Sequence, residues 1–473
     1  MDNLEICRMT AMQLRRAIKS RRLSPVEVVD AVLERIDRIN PKINAYCTLV
    51  PESARAEAKK AERKVMKGEP LGPLHGVPIS IKDLSFTKGI RTTGGSKMYE
   101  NFVPDQDAVF VERLKAAGAI ILGKTNTPEF GWIGITTNPV FGTSRNPWNT
   151  DYTTGGSSGG AAAAVAACLG PIAQGSDGGG SIRIPSSFCG VYGLKPSFGR
   201  VPASPCFPGL WEGLSVTGPI ARTVPDAVLM LEVMSGYDAR DFYSIPQKAS
   251  RYLSAVRGEP NLKGLKIAWT VDMGYAVVDK QVKQAIEAAM KVFEKLGCLV
   301  EEAHPDAADP QAAFSTQVAS AVAAQLYDEL PQWGKQFDPG LAAYVERSKD
   351  ILARDYVKAR MKHLEYWDKV RVFFDKYDLL LTPVLAVPPF PVGIYGPTEI
   401  NGQRVSSIAW MPFTYPFNIT GQPAASVPCG FTRDGLPVGL QIVGRRYDEA
   451  SVLKASVAFE RAKPWADKYP PLD

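Results

Sequence analysis

Histidine is scarce in this chain: there are three in 473 residues, at positions 75, 304 and 363. Cysteine supplies no metal framework either. The seven thiols (Cys7, Cys47, Cys168, Cys189, Cys206, Cys298 and Cys429) are scattered, odd in number and never spaced CxxC. With no HExxH pattern, a structural or catalytic zinc site is not expected. Dispersed, odd cysteines fit small buried thiols in a reducing, cytoplasmic setting rather than a disulfide framework. No stretch approaches 18 uninterrupted apolar residues, so no membrane span is expected. The opening MDNLEICRMT lacks the basic and apolar regions of a secretory signal. Basic runs are missing too. The net charge of +6 is spread along the chain, and the one cluster, residues 15–22, fits a solvated helix face and turn. A nucleic-acid partner is therefore not expected. There are no internal repeats and no low-complexity linkers.

What the chain has is length, apolar content and local glycine. It is 45% hydrophobic, enough to bury a large core. Capping-box pairs at Thr10/Gln13 and Ser24/Glu27 start two helices, the second with Pro25 at its first position and Pro41 as its stop. Apolar runs then predict strands over 44–50, 77–82, 119–122, 172–174, 265–271, 299–302, 379–381, 425–428 and 439–443. Helical patterns separate them. One is the stripe Val282, Ile286, Ala289, Phe293 and Leu296, spaced for a helix on a sheet. Residues 196–218 are rich in Pro and Gly and read as irregular; 310–376 read as mostly helical. Strands alternating with helices predict an α/β fold with helices on both sheet faces. Residues 1–473 read as a single domain. A variable, mostly helical insertion at about 235–345 is placed to roof the site.

The stretch 155–185 reads GGSSGGAAAAVAACLGPIAQGSDGGGSIRIP. Two Gly-Ser clusters, around Ser157 and Ser181, flank a small-residue helix and a short strand. Such glycine density brings backbone N–H groups close to something reactive. Two motif matches nearby lack the context they require. Residues 118–125 match the P-loop expression, but the middle is Ala-Ile-Ile-Leu, which is a strand rather than a flexible phosphate cradle. Residues 155–159 match GxSxG, but no downstream histidine sits in a suitable setting for a Ser-His-Asp triad. A serine without histidine needs another base. Lys82, at the end of a buried apolar run, can supply one: desolvation disfavours its ammonium and leaves a neutral amine near pH 7. The competing reading pairs a charged Lys82 with Asp83 or another carboxylate.

Several long motifs in order and register resolve that choice. GVPISIKD (76–83), NPWN (146–149), GGSSGGAAAAVAA (155–167), GSDGGGSIRIP (175–185), GLKPSFGRVP (193–202), NITGQPAASVPCG (418–430) and GLPVGLQIVGRR (435–446) together resemble the amidase signature family of Ser-Ser-Lys hydrolases. The resemblance covers nearly the whole chain and implies the amidase signature fold, with a large mixed β-sheet core. It implies Ser181 as nucleophile, Ser157 as the bridging serine after a cis peptide, and Lys82 as the ultimate base. Backbone N–H groups of Gly178, Gly179, Gly180 and Ser181 would form the oxyanion hole, with Gly178 standing where the family commonly has threonine. Asp177 and Arg183 would brace that turn. The family implies no metal and no cofactor.

Family members differ widely in substrate. One branch, the glutamine-hydrolysing component of glutamyl-tRNA amidotransferase, has an aspartate where this chain has Met411. With that charge gone, and with Trp410, Phe413, Tyr415 and Phe417 nearby, an apolar acyl or aryl pocket is expected. Gly131, Trp132, Phe207, Leu210 and Trp211 are further candidates to line it. The expectation is an amidase acting on a small-molecule amide and water, also able to take carbamates or esters, and working as a monomer or homodimer. The alternatives are the amidotransferase component, dependent on partner chains, and a non-catalytic relative, against which the intact Lys82, Ser157 and Ser181 argue.

Overall fold

A computed structural model describes residues 2–207, 211–247 and 251–472. Its centre is one 11-stranded sheet. In chain order the strands are β1 (Tyr46–Leu49), β2 (Pro78–Lys82), β3 (Ile120–Thr125) and β4 (Ile172–Asp177). Next come β5 (Tyr192–Lys195), β6 (Val216–Ala221), β7 (Lys266–Trp269) and β8 (Leu299–Glu302). The last three are β9 (Leu379–Pro383), β10 (Ala424–Phe431) and β11 (Pro437–Gly444). Their order across the sheet is β1-β3-β2-β4-β6-β5-β10-β11-β9-β7-β8. The pairings β2–β3, β2–β4, β7–β8 and β7–β9 are parallel and the others antiparallel, so the sheet is mixed.

Side-chain alternation gives the sheet two cores. Along β3, Ile121 joins a cluster with residues of α4 (Val224–Met234), α5 (Lys280–Lys295) and α9 (Glu449–Ala462). Its neighbours Ile120 and Leu122 point the other way, against α1 (Pro25–Ile43) and α2 (Gly159–Ala166). Successive strand residues face opposite sides, and both faces are covered by helices, which is why the strands read as continuous apolar runs. The remaining helices that bear on the site are α3 (Arg183–Cys189), α6 (Gln311–Leu326), α7 (Pro339–Ser348) and α8 (Ala353–Lys376).

The structure departs from the sequence reading in several places. Pro41 does not stop α1, which continues to Ile43 and is closed by Asn44 in the left-handed conformation. A proline in the last turn removes only one helical N–H, a loss the terminus tolerates. The 172–174 strand runs on to Asp177, and two central strands, β5 and β6, occupy ground read as turn or irregular. Gly193, Gly218 and Pro219 hide them, yet Gly218 is required: a Cβ there would stand 2.2 Å from the Leu194 carbonyl oxygen. Within 235–345, β7 and β8 are strands of the main sheet, so the segment that stands near the site is its helical part from α6 onward. The 118–125 match is confirmed as strand, not phosphate loop. Among the described residues no helix is long and apolar enough to cross a membrane.

Helix α2, GGAAAAVA, is buried along its whole length. Its small residues let it approach other backbone closely. A Cβ on Gly160 would lie 2.3 Å from the Asn126 nitrogen and 2.4 Å from the Ala45 oxygen. Neither backbone atom can yield cheaply. Gly160→Ala is therefore expected to destabilise the fold by about 1–3 kcal/mol, read from the urea denaturation midpoint. A variant as stable as the parent would contradict this close approach.

Candidate active site

Lys82 closes β2 and points into the interior, where its side chain is 0% exposed. Its backbone N–H is held by Gln174 Oε1 at 3.0 Å. Its Nζ lies 2.7 Å from Ser157 Oγ and 3.1 Å from Ser176 Oγ. Burial pushes the ammonium down to about 7, against a partial opposing pull from Asp177. No carboxylate pairs with it among the described residues, so the ion-pair reading with Asp83 falls. Asp83 is instead occupied by the N–H and hydroxyl of Thr93.

Burial alone does not single Lys82 out. Lys124 and Lys195 are also fully buried and lowered, to about 8 and about 7, chiefly by desolvation. Lys124 donates to the Ser85 carbonyl and to Thr87 and Thr92 hydroxyls; Lys195 donates to the Pro196 carbonyl. Only Lys82 meets serine hydroxyls carried on glycine-rich turns.

Ser157 follows a cis peptide bond with Gly156. The turn carrying it is crowded on every side. A Cβ on Gly156 would meet the Ile135 backbone at 2.5 Å, and one on Gly131 would lie 3.2 Å from Ser157 Oγ. Gly131 is thus a neighbour of the serine, as the sequence suggested. The turn bearing Ser181 is joined to this one directly: Ser158 N–H donates to the Ser181 carbonyl at 3.1 Å. Ser158 Oγ also exchanges hydrogen bonds with the Ser176 backbone.

A buried ion pair fixes the 177–181 turn. Arg183 Nη2 and Nε reach the Asp177 carboxylate at 2.8 and 3.0 Å, with both side chains 0% exposed. The guanidinium also donates to the Thr414 carbonyl, Gln441 Oε1 and Asn418 Oδ1. Burial would raise the Asp177 carboxyl, but the Arg183 charge and hydrogen bonds outweigh it and hold the group well below the usual range. Asp177 in turn accepts the N–H groups of Gly180 and Ile182 at 2.7 and 3.1 Å. This corrects the sequence reading of Gly180 as an oxyanion donor: its N–H is already taken. The N–H groups of Gly178, Gly179 and Ser181 have no acceptor among the described residues.

Aromatic rings stand on this turn. Cβ atoms on Gly178 and Gly179 would lie 2.6 Å from the Trp211 indole and 2.8 Å from the Phe314 ring. The space a threonine at 178 would fill belongs here to Trp211. Phe314 stacks on Tyr415, whose hydroxyl donates to Asp309. Thr414 Oγ1 donates to the Gly179 carbonyl at 2.7 Å. Phe207 packs among Phe86, Tyr99, Phe102 and Phe130. Trp132 turns towards Tyr344 of α7 and Tyr395, and Met411 contacts the Gly134 position. Trp410, Phe413 and Phe417 are not pocket residues. All three are fully buried in the core beneath, Trp410 stacking on Phe188. Leu210 lies outside the described residues.

Sequence reasoning missed Ser176, Phe314 and Thr414. Ser176 was within reach, because β2 and β4 are adjacent parallel strands and put its hydroxyl beside Lys82. Phe314 and Thr414 come from 130 or more positions away, and no local pattern announces them.

The depressed Lys82 has a consequence for stability. The unfolded chain holds a lysine proton up to about pH 10.5, and the folded chain loses it near 7. In that window the unfolded state binds more protons, so folding gains stability as pH rises. Below 7 the full cost of burying the charge remains. Lys82→Met should therefore stabilise the fold at pH 7, with an advantage that shrinks by pH 9.5 in urea denaturation. An equal advantage at both pH values would count against a depressed lysine.

A family model described as Amidase matches residues 27–453. The chain is similar to an acylamidase of Rhodococcus erythropolis, 40% identical over 98% of this chain and 97% of that one. It is also similar to the GatA-type component of the glutamyl-tRNA(Gln) amidotransferase of Geobacillus kaustophilus (strain HTA426), 38% identical over 97% of this chain and 98% of that one. Among solved structures it resembles a bacterial aryl acylamidase of the amidase signature family, with a TM-score of 0.91 and 34% identity over 97% of each chain.

Proposed function

The chain belongs to the Amidase family, and from that premise we propose that it hydrolyses apolar or aryl carboxylic amides through an acyl-enzyme on Ser181. The observation that carries this reading is the 2.7 Å contact between a buried, unpaired Lys82 and Ser157. A neutral Lys82 amine accepts the Ser157 hydroxyl proton while Ser157 accepts that of Ser181. Ser181 Oγ bonds to the carbonyl carbon, and the N–H groups of Gly178, Gly179 and Ser181 receive the developing oxyanion. The C–N bond breaks as Ser157 returns a proton to the leaving amine. Water then repeats the sequence on the ester and frees the acid. Esters and carbamates follow by the same route.

Trp211 and Phe314 on the glycine turn, with Phe207 beside them, favour an apolar substrate arm. Seven unpaired cysteines favour work in the cytoplasm. The similarity to the amidotransferase component supports a second reading, in which the chain releases ammonia from glutamine only with partner chains and tRNA. Met411 in place of that branch's aspartate argues against it.

The test is 4-nitroaniline release from 4-nitroacetanilide by the chain alone, beside ammonia release from glutamine. Ser181→Ala is expected to lower kcat by about 10⁴-fold or more, and Lys82→Met by at least about 10²–10⁴-fold. Activity surviving Ser181→Ala would exclude it as nucleophile. Because the neutral amine is the working form, kcat/KM should rise with pH through a limb centred near 7. A profile flat from pH 5 to 9 would contradict a lysine base. Glutamine turnover appearing only with amidotransferase partners and tRNA would favour the second reading.

A further inference from the structure

A cavity of about 390 Å³ lies beside the glycine turn. Its inner end is Ser176, the hydroxyl partner of Lys82, together with Leu84, Phe130, Phe207 and Trp211. Leu84 is the side chain that a Cβ on Gly131 would meet at 2.9 Å, so the cavity and the Ser157 turn share a wall. At about 30 Å³ per water-sized group, this volume holds an arm of roughly a dozen heavy atoms.

The far end differs in chemistry. It is lined by Glu212, Gln325, Asp241, Phe242 and Tyr243. Among the described residues, no lysine, arginine or histidine lines the cavity at all. Asp241 is spent on the backbone N–H groups of Ala203, Ser204 and Tyr243. Gln325 Oε1 is buried and has no donor among the described residues. Glu212 is exposed, and its carboxylate receives only the Tyr243 hydroxyl. The unused hydrogen-bonding capacity there is therefore acceptor capacity. Phe242, 92% exposed, adds an aromatic ring beside Tyr243 at the mouth. Acceptors, a carboxylate and aromatic faces suit a cation.

We infer that this cavity binds a substrate arm with an apolar body that ends in a primary ammonium group, held by Glu212 and Gln325. The inference rests on the amidase reading for its link to catalysis, and the arm belongs either to the acyl group or to the leaving amine. It excludes substrates whose distal end is a carboxylate.

Binding to the full-length Ser181→Ala chain separates this from turnover. Isothermal calorimetry at pH 7 would compare 6-phenylhexylamine, 6-phenylhexanol and 6-phenylhexanoate. The amine is expected to bind roughly 3–10-fold tighter than the alcohol, with the carboxylate weakest. Adding Glu212→Gln should bring the amine to the level of the alcohol and leave the alcohol unchanged. Equal binding of amine and alcohol, preference for the carboxylate, no binding by any of the three, or a preference that survives Glu212→Gln would each overturn the inference. On the parent chain, hexanoyl and 6-aminohexanoyl 4-nitroanilides test the acyl arm, and N-(6-aminohexyl)benzamide against N-hexylbenzamide tests the amine arm. A Glu212-dependent amine preference without hydrolysis of any of them would leave the cavity assignment standing and remove the amidase reading. Hydrolysis of the neutral substrates without any amine preference would do the reverse.

Discussion

A lysine ammonium taken out of water without a carboxylate to meet it is the constraint on which the site depends. Desolvation pulls Lys82 to about 7, and the only polar atoms at its Nζ are the hydroxyls of Ser157 and Ser176. A full ion pair there would restore the charge and remove the base. The protein places its carboxylate one layer away. Asp177 raises Lys82 slightly through space but spends its hydrogen bonds on Arg183, Asn418 and the N–H groups of its own turn. One buried charge pair thus shapes the nucleophile's turn while the lysine beside it stays near neutrality.

Glycine is used in that arrangement as space for other groups. At 178 and 179 the missing side chains are replaced by Trp211 and Phe314, and at 131 by the approach to Ser157. The backbone N–H groups of the turn stay uncovered while apolar rings close over its Cα atoms. The loop bearing Gly131 is tied down in its turn by Glu129. Its carboxylate accepts the Ser96 hydroxyl and the Asp338 N–H at the start of α7, and burial lifts it to about 7.

Lys82, Ser157, Ser181 and the glycine turn were legible in the sequence because each sits in a short, dense motif whose chemistry is local. The alternation of strands and helices was legible for the same reason, since apolar runs and amphipathic stripes are properties of neighbouring residues. What was hidden depended on distance or on glycine and proline. β5 and β6 lie at the middle of the sheet, yet Gly193, Gly218 and Pro219 give them the composition of a loop. The Gly180 N–H was misassigned because an aspartate three residues earlier captures it, a pattern visible in the sequence only when the turn is drawn. Trp410, Phe413 and Phe417 looked like pocket residues because an aromatic-rich segment does not reveal which rings face inward.

Arg183 binds the Thr414 carbonyl and Gln441 as well as Asp177. The turn around the nucleophile is therefore completed by residues more than 230 positions downstream. A ribosome must release almost the entire polypeptide before that guanidinium finds its last acceptors. Until then the serine sits on an unbraced turn, and a truncated or stalled chain carries the catalytic motifs without the geometry to use them. The long reach of one arginine ties hydrolytic competence to completed synthesis.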